Sequence, residues 1–143
     1  GPFLKGSTMH GKEKPAEKKL IKAFKDLGFW AGHMNTDIDG FLDILVQKKG
    51  KAFLLEAKDG RRTSLAVNLF EPTQPVFINE WVKSGGTAYL VTERDGEYEV
   101  YNAASSLVLS LKDPSLLVTE LPGVCCGTAV EVVSDLATLW GVL

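Results

Sequence analysis

The sequence predicts an α/β layer fold in which helix, strands, helix and strand follow in order and a central mixed β-sheet is flanked by helices. Three observations predict it. Apolar residues recur at helical spacing over 15–27 and 73–84. Two apolar runs face each other across Lys49-Gly50, as a tight hairpin requires. A β-branched and aromatic run over 87–92 follows the second helix, which completes a β-α-β unit with the strand before it. With 143 residues, 45% apolar and 24% charged, the chain can build one full-sized core.

Gly1 to Thr8, ahead of Met9, reads as a cloning remnant, which leaves 9–143 as a single domain. Its core is expected over about 15–101, with a C-terminal extension over about 102–143. The first helix runs from Pro15 to Leu27, burying Leu20, Ile21, Phe24 and Leu27, and Gly28 ends it. Phe29-Trp30 is a short strand or part of a loop, and His33 to Asp39 is a polar loop. Strands are expected over 41–46 and 52–58, then a polar connection over 59–71. The second helix, near Thr73 to Ser84, carries a buried stripe of Phe77, Ile78, Trp81 and Val82 and stops at Gly85-Gly86. A turn over Glu93–Gly96 joins the 87–92 strand to another over Glu97–Tyr101. Beyond lie the apolar segments Leu107–Leu111 and Leu116–Val118, and a stretch from Ala129 to Leu139 that fits helix or strand.

No apolar run approaches membrane-spanning length and no secretory signal is visible. The only cysteines, Cys125 and Cys126, are adjacent; a bond between them would be strained, which favours a reducing, cytoplasmic setting and small apolar packing roles. Net charge is −2, yet residues 1–62 carry +5 and residues 63–143 carry −7. The lysines at 12, 14, 18, 19, 22 and 25 therefore form either a face for a polyanion or the solvated side of the first helix. No base-reading module such as a zinc finger is present. Trp30, Trp81 and Trp140 read as core or interface anchors.

The hairpin poses the chemical question. Side chains alternate along a strand, so Glu56 and Lys58 share one face and Leu55 and Ala57 the other. If Lys49-Gly50 is a two-residue turn, Lys48 pairs with Lys51, Val46 with Phe53, and Asp43 falls opposite Glu56; a four-residue loop would pair Asp43 with Leu54 instead. Opposed like charges destabilise a sheet. Either Lys58 offsets that cost as a static surface ion pair, or a divalent metal is shared by the two acids.

Gly40-Phe-Leu-Asp43-Ile followed by Glu56-Ala-Lys58 resembles the Asp…(Asp/Glu)-x-Lys core of the PD-(D/E)XK nuclease superfamily, with Leu42 where many members carry proline. Glu17 on the first helix, and Pro72-Thr-Gln74 with its helix and Gly85-Gly86-Thr-Ala-Tyr-Leu-Val91, are similar to segments of Holliday-junction resolvases and of virus-type replication-repair nuclease domains. The resemblance spans roughly residues 15–92 and implies a restriction-endonuclease-like core. It also implies a metal-dependent DNA endonuclease, a phosphodiester hydrolase that is structure-specific on branched DNA and serves recombination, repair or replication. Under that reading Asp43 and Glu56 hold Mg²⁺, for which Mn²⁺ can substitute, and the Ala57 carbonyl adds a ligand. Lys58 faces the phosphate or the attacking water, Gln74 orients water or phosphate at a helix N-terminus, and Glu17 positions a water or second ion. Lys48, Lys49, Lys51, Arg61 and Arg62 would line a DNA phosphate track, and His33 is either a DNA contact or incidental. Junction cutting further implies a homodimer, with the apolar tail as a candidate contact. The alternatives are a linear or single-strand DNA nuclease of the same superfamily, a DNA-binding module that does not cut, and an interaction domain whose acids form only a salt bridge. A virus-encoded origin also remains open.

Overall fold

The computed structural model describes residues 14–59, 70–113 and 115–143. Residues 1–8, Arg61 and Arg62 lie outside the described residues. The elements are α1 (Pro15–Asp26), β1 (Trp30–His33), β2 (Ile44–Lys48), β3 (Lys51–Asp59), α2 (Gln74–Lys83), β4 (Thr87–Arg94), β5 (Glu97–Asn102), α3 (Ala103–Lys112), a 3₁₀ turn (Val118–Glu120), β6 (Cys125–Gly127) and α4 (Ala129–Trp140). The strands form one six-stranded sheet in sequential order, antiparallel throughout except for β3 and β4, which run parallel across the α2 crossover. This is the mixed, helix-flanked sheet that the sequence predicts.

The alternation of β3 assigns the two faces. Phe53, Leu55 and Ala57 join Tyr89 and Val91 of β4 beneath α1 and α4, in a core with Leu20, Phe24, Val132, Leu136 and Trp140. Leu54 and Ala88 face the other way, onto Leu42, Ile78 of α2 and Ala103 of α3. The Trp140 ring stacks on Phe53 at a 3.7 Å centroid separation, and its indole N–H donates to the Tyr89 hydroxyl at 2.9 Å. The C-terminal segment is thus a wall of the main core rather than an appendage, and it also leaves Leu111, Val130, Leu139 and Leu143 exposed.

Other boundaries move for local reasons. Strand β2 begins at Ile44, because 37–43 bends around Gly40 instead of pairing with β3. His33 ends a strand rather than sitting in a loop, since β1 pairs with β2 over Trp30↔Gln47 to His33↔Ile44. Of the proposed α2 stripe only Ile78 is fully buried. Phe77 and Trp81 are half-buried in an aromatic row with Phe41, and Val82 is exposed. Ala129 to Leu139 is helical, opened by a reciprocal cap in which Thr128 and Glu131 satisfy each other's backbone N–H. Cys125 and Cys126 lie unbridged on the edge strand, and Cys126 is exposed rather than packed. Among the described residues no helix is long and apolar enough to cross a membrane.

Candidate active site

The two-residue turn forms. Lys49 and Gly50 both adopt positive φ, 52° and 78°, the pairing that matches the twist of the flanking strands. Register follows: Lys48↔Lys51, Val46↔Phe53 and Ile44↔Leu55, and the four-residue alternative is excluded. The next position places Asp43 opposite Glu56. There β2 has already bent away, and the Asp43 backbone N–H donates to Glu56 Oε1 at 3.1 Å. Lys58 Nζ donates to Glu56 Oε2 at 3.0 Å.

This end of the hairpin is not a surface. Glu56 is only 2% exposed, so its ion pair with Lys58 is not a surface pair. Glu56 lies on the α2 face, beside the start of that helix. Gly40 fixes the distance: its φ is +78°, and a Cβ there would fall 2.3 Å from the Thr73 carbonyl oxygen, so only glycine lets the β1–β2 loop close against α2. Gln74, the first residue of α2, is buried, accepts the Glu71 N–H at 3.0 Å, and lies against Glu56.

Glu17 arrives from the opposite face. It occupies the first turn of α1, where its Oε1 accepts the Lys14 N–H at 2.8 Å, a helix-capping bond. Its Oε2 is buried without a hydrogen-bond partner, and His33 Nδ1 stands 3.6 Å away. Because Asp43 sits past the end of β2, it meets groups from both faces. Glu17, Asp43 and Glu56 form a string of acids across the open end of the hairpin.

The electrostatics report the strain. Burial pushes the Glu56 carboxyl up to about 7, with Asp43 adding to the rise and Lys58 and Gln74 countering it. Burial pushes Asp43 up to about 6, with the Glu17 carboxyl adding to it and Lys14 and Lys58 opposing. Lys58 therefore offsets only part of the cost of opposing the two acids.

Would a divalent cation fit? Among the described residues no three His, Cys, Asp or Glu side chains close around one point, so this is no all-protein cage. Mg²⁺ does not need one: it keeps several waters and takes one or two carboxylates. Asp43 and Glu56 supply two hard oxygen ligands whose repulsion a cation would relieve. The backbone supplies a third. The residues flanking a two-residue turn exchange both hydrogen bonds, so alternate positions of β3 from Lys51 onward aim N–H and C=O at β2. Ala57 is one of these, and β2 ends opposite Leu55, which leaves its carbonyl pointing past the strand end. The donor set fits.

The basic residues divide. Lys58 belongs to the site. Lys48, Lys49 and Lys51 crowd the turn, roughly 17 Å along the strand from Glu56 at about 3.3 Å per residue. There Lys48 Nζ donates to the Leu27 carbonyl that ends α1 (2.8 Å), Lys51 Nζ to the Trp140 carbonyl that ends α4 (3.2 Å), and Lys49 Nζ to Leu143 (3.0 Å). They do not flank the acids. His33, which the sequence left as a DNA contact or incidental, stands beside Glu17. The register that brings it beside Glu17 depends on how a ten-residue loop closes, which no local pattern reveals.

No protein-family model matches the chain, and no curated protein matches its sequence. Solved structures do. The chain is similar to Hjc, a Holliday junction resolvase of the archaeal hyperthermophile Archaeoglobus fulgidus, with a TM-score of 0.54 and 13% identity over 82% of this chain and 96% of that one. At that identity the likeness is one of architecture, and the chain has the restriction-endonuclease-like α/β fold.

Proposed function

We propose that this protein is a metal-dependent DNA endonuclease that hydrolyses phosphodiester bonds, with branched DNA as its preferred substrate. One observation carries the reading: two carboxylates of raised pKa and a lysine amine converge at the open end of a hairpin, on a resolvase-like fold. A static ion pair explains that arrangement poorly, because Lys58 leaves Glu56 still shifted upward. The resolvase likeness supports DNA as the substrate, and with it roles in recombination, repair or replication.

Asp43, Glu56 and the Ala57 carbonyl would hold Mg²⁺ or Mn²⁺. Bound there, the ion would supply charge neutralisation at the phosphate and acidify a water. Lys58 reaches past Glu56 to the phosphate oxygens or the attacking water, held in place by its 3.0 Å bond. Gln74, fixed by Glu71 and by burial, offers its amide at the first turn of α2, where the helix dipole favours an anion. Glu17 borders the pair on the Asp43 side and positions a water. The exposed lysines of α1 are better placed than those of the turn to meet the DNA backbone. Four-way junction cutting would need two copies related by a two-fold axis, so a homodimer belongs to this reading.

The test uses four-way, flap, linear and single-stranded DNA with Mg²⁺, Mn²⁺ or EDTA. Metal-dependent nicks are expected, strongest on the branched substrates, and Glu56→Gln or Lys58→Ala should each lower the rate on the order of a thousandfold or more. No cleavage of any substrate under either metal would overturn the proposal.

A further inference from the structure

Glu17 meets the Lys14 N–H and the Asp43 carboxyl, and one of its oxygens remains unpaired. Its Oε1 caps α1, while Oε2 and both ring nitrogens of His33 are buried with no hydrogen-bond partner. A buried polar atom left unpaired is costly, so the approach of His33 Nδ1 to Glu17 Oε2 calls for an explanation, while Nε2, across the ring, stays without a partner. Nδ1 and Oε2 explain each other. Nδ1 faces Oε2 at 3.6 Å, a few tenths beyond a hydrogen bond, and catalytic contacts commonly stand this long before substrate binds. His33 is also firmly placed: it pairs with Ile44, and the following residue, Met34, donates its N–H to the Asp43 carbonyl. The backbones of His33 and Asp43 are therefore fixed to one another by the β1–β2 pairing.

The geometry points to His33 as a positioning residue: its Nδ1–H holds Glu17 Oε2, and so sets where the Glu17 carboxylate stands against Asp43. Lysine could not substitute without filling the gap, and a carboxylate in its place would repel Glu17. The consequence for catalysis rests on the nuclease reading above; the contact itself does not.

Two measurements separate these. The chain has only two histidines, His10 and His33, so long-range ¹H–¹⁵N spectra, assigned with His33→Asn, read the His33 tautomer directly. The proton is expected on Nδ1 in the native protein and released from that preference in Glu17→Ala. A proton on Nε2 in both would overturn the proposal. In single-turnover cleavage, His33→Asn retains an N–H donor near the Nδ1 position and should stay within about threefold of native. His33→Leu and His33→Gln, which cannot place a donor there, should fall about 10–100-fold with DNA affinity unchanged, the range seen when orienting partners are removed. Equal loss in all three, with melting temperatures preserved, would also overturn it. If the native protein cuts nothing, the nuclease reading fails while the tautomer still decides the contact.

Discussion

The two ends of the β2–β3 hairpin both carry lysine, for opposite purposes. At the turn, Lys48 and Lys51 send their amines to the carbonyls that end α1 and α4, where the helix dipole wants positive charge. At the open end, Lys58 meets Glu56 and Asp43 but cannot neutralise both, and the carboxyls remain pushed up. One end is electrostatically settled and the other is held in debt by the surrounding fold. The difference teaches where to look for chemistry: not where charges are numerous, but where burial and like charge outrun the partners supplied.

The comparison breaks most easily at the settled end. Trp140 closes the core there, stacked on Phe53 and bonded to Tyr89, while its own carbonyl receives Lys51. Trp140→Ala should cost about 3–5 kcal/mol of stability, measured by denaturant unfolding. If the loss were below about 1 kcal/mol, the C-terminal helix would not be the structural wall described above.

The unsettled end should behave in the reverse way. The Glu56 carboxyl rises from 4.5 to about 7 on folding, and that of Asp43 from 3.8 to about 6. A folded value above the unfolded one means that the stability contribution is complete below about pH 4 and is lost as pH climbs through 6 and 7. In EDTA, Glu56→Gln should therefore match the native protein near pH 4 and exceed it at pH 8 by on the order of 1–3 kcal/mol. Saturating Mg²⁺ should narrow that gap by stabilising only the native protein. Thermal melts across pH 4–8 decide it, and superimposable profiles for the two proteins would remove the argument that this end is under strain.

These contrasts show what a sequence can and cannot carry. Alternation and the Lys49-Gly50 turn narrowed the partner of Asp43 to Glu56 or Leu54, and the two-residue loop that forms selects the register with Glu56. Local patterning also gave α1, α2 and the β4–β5 hairpin to within a few residues. The depth of Glu56 was not legible. Burial is set by the other layers: by Gly40 closing on Thr73, and by α2 covering that face. The partner of His33 was not legible for the same reason, since it lies across a strand pairing and on another helix. The C-terminal helix was a different failure. Thr128-Ala-Val-Glu131 is a capping box ahead of an apolar run, a local signal that was there to be read. What the turn lysines bond to was not legible either, because charge composition does not say which carbonyls a side chain can reach.

The smallest effect is the sharpest discriminator between those lysines and the one at the site. Lys48→Met and Lys51→Met keep much of the aliphatic stem but remove the amine, and each should cost only about 0.3–1 kcal/mol, the usual worth of a cation at a helix C-terminus. Lys48 also stands over the Phe29 ring at 5.5 Å, which places it toward the upper end of that range. Cleavage rate and the salt dependence of DNA affinity should stay at native values in both variants, whereas a lysine that neutralises a phosphate would reduce the slope of log K against log salt by about one. Parallel titrations at several salt concentrations, with a Lys19→Met variant on the exposed face of α1 as the positive comparison, distinguish the two outcomes. A flattened slope for Lys48→Met or Lys51→Met would mean that the hairpin meets DNA along its whole length and that its two ends do not divide structure from chemistry.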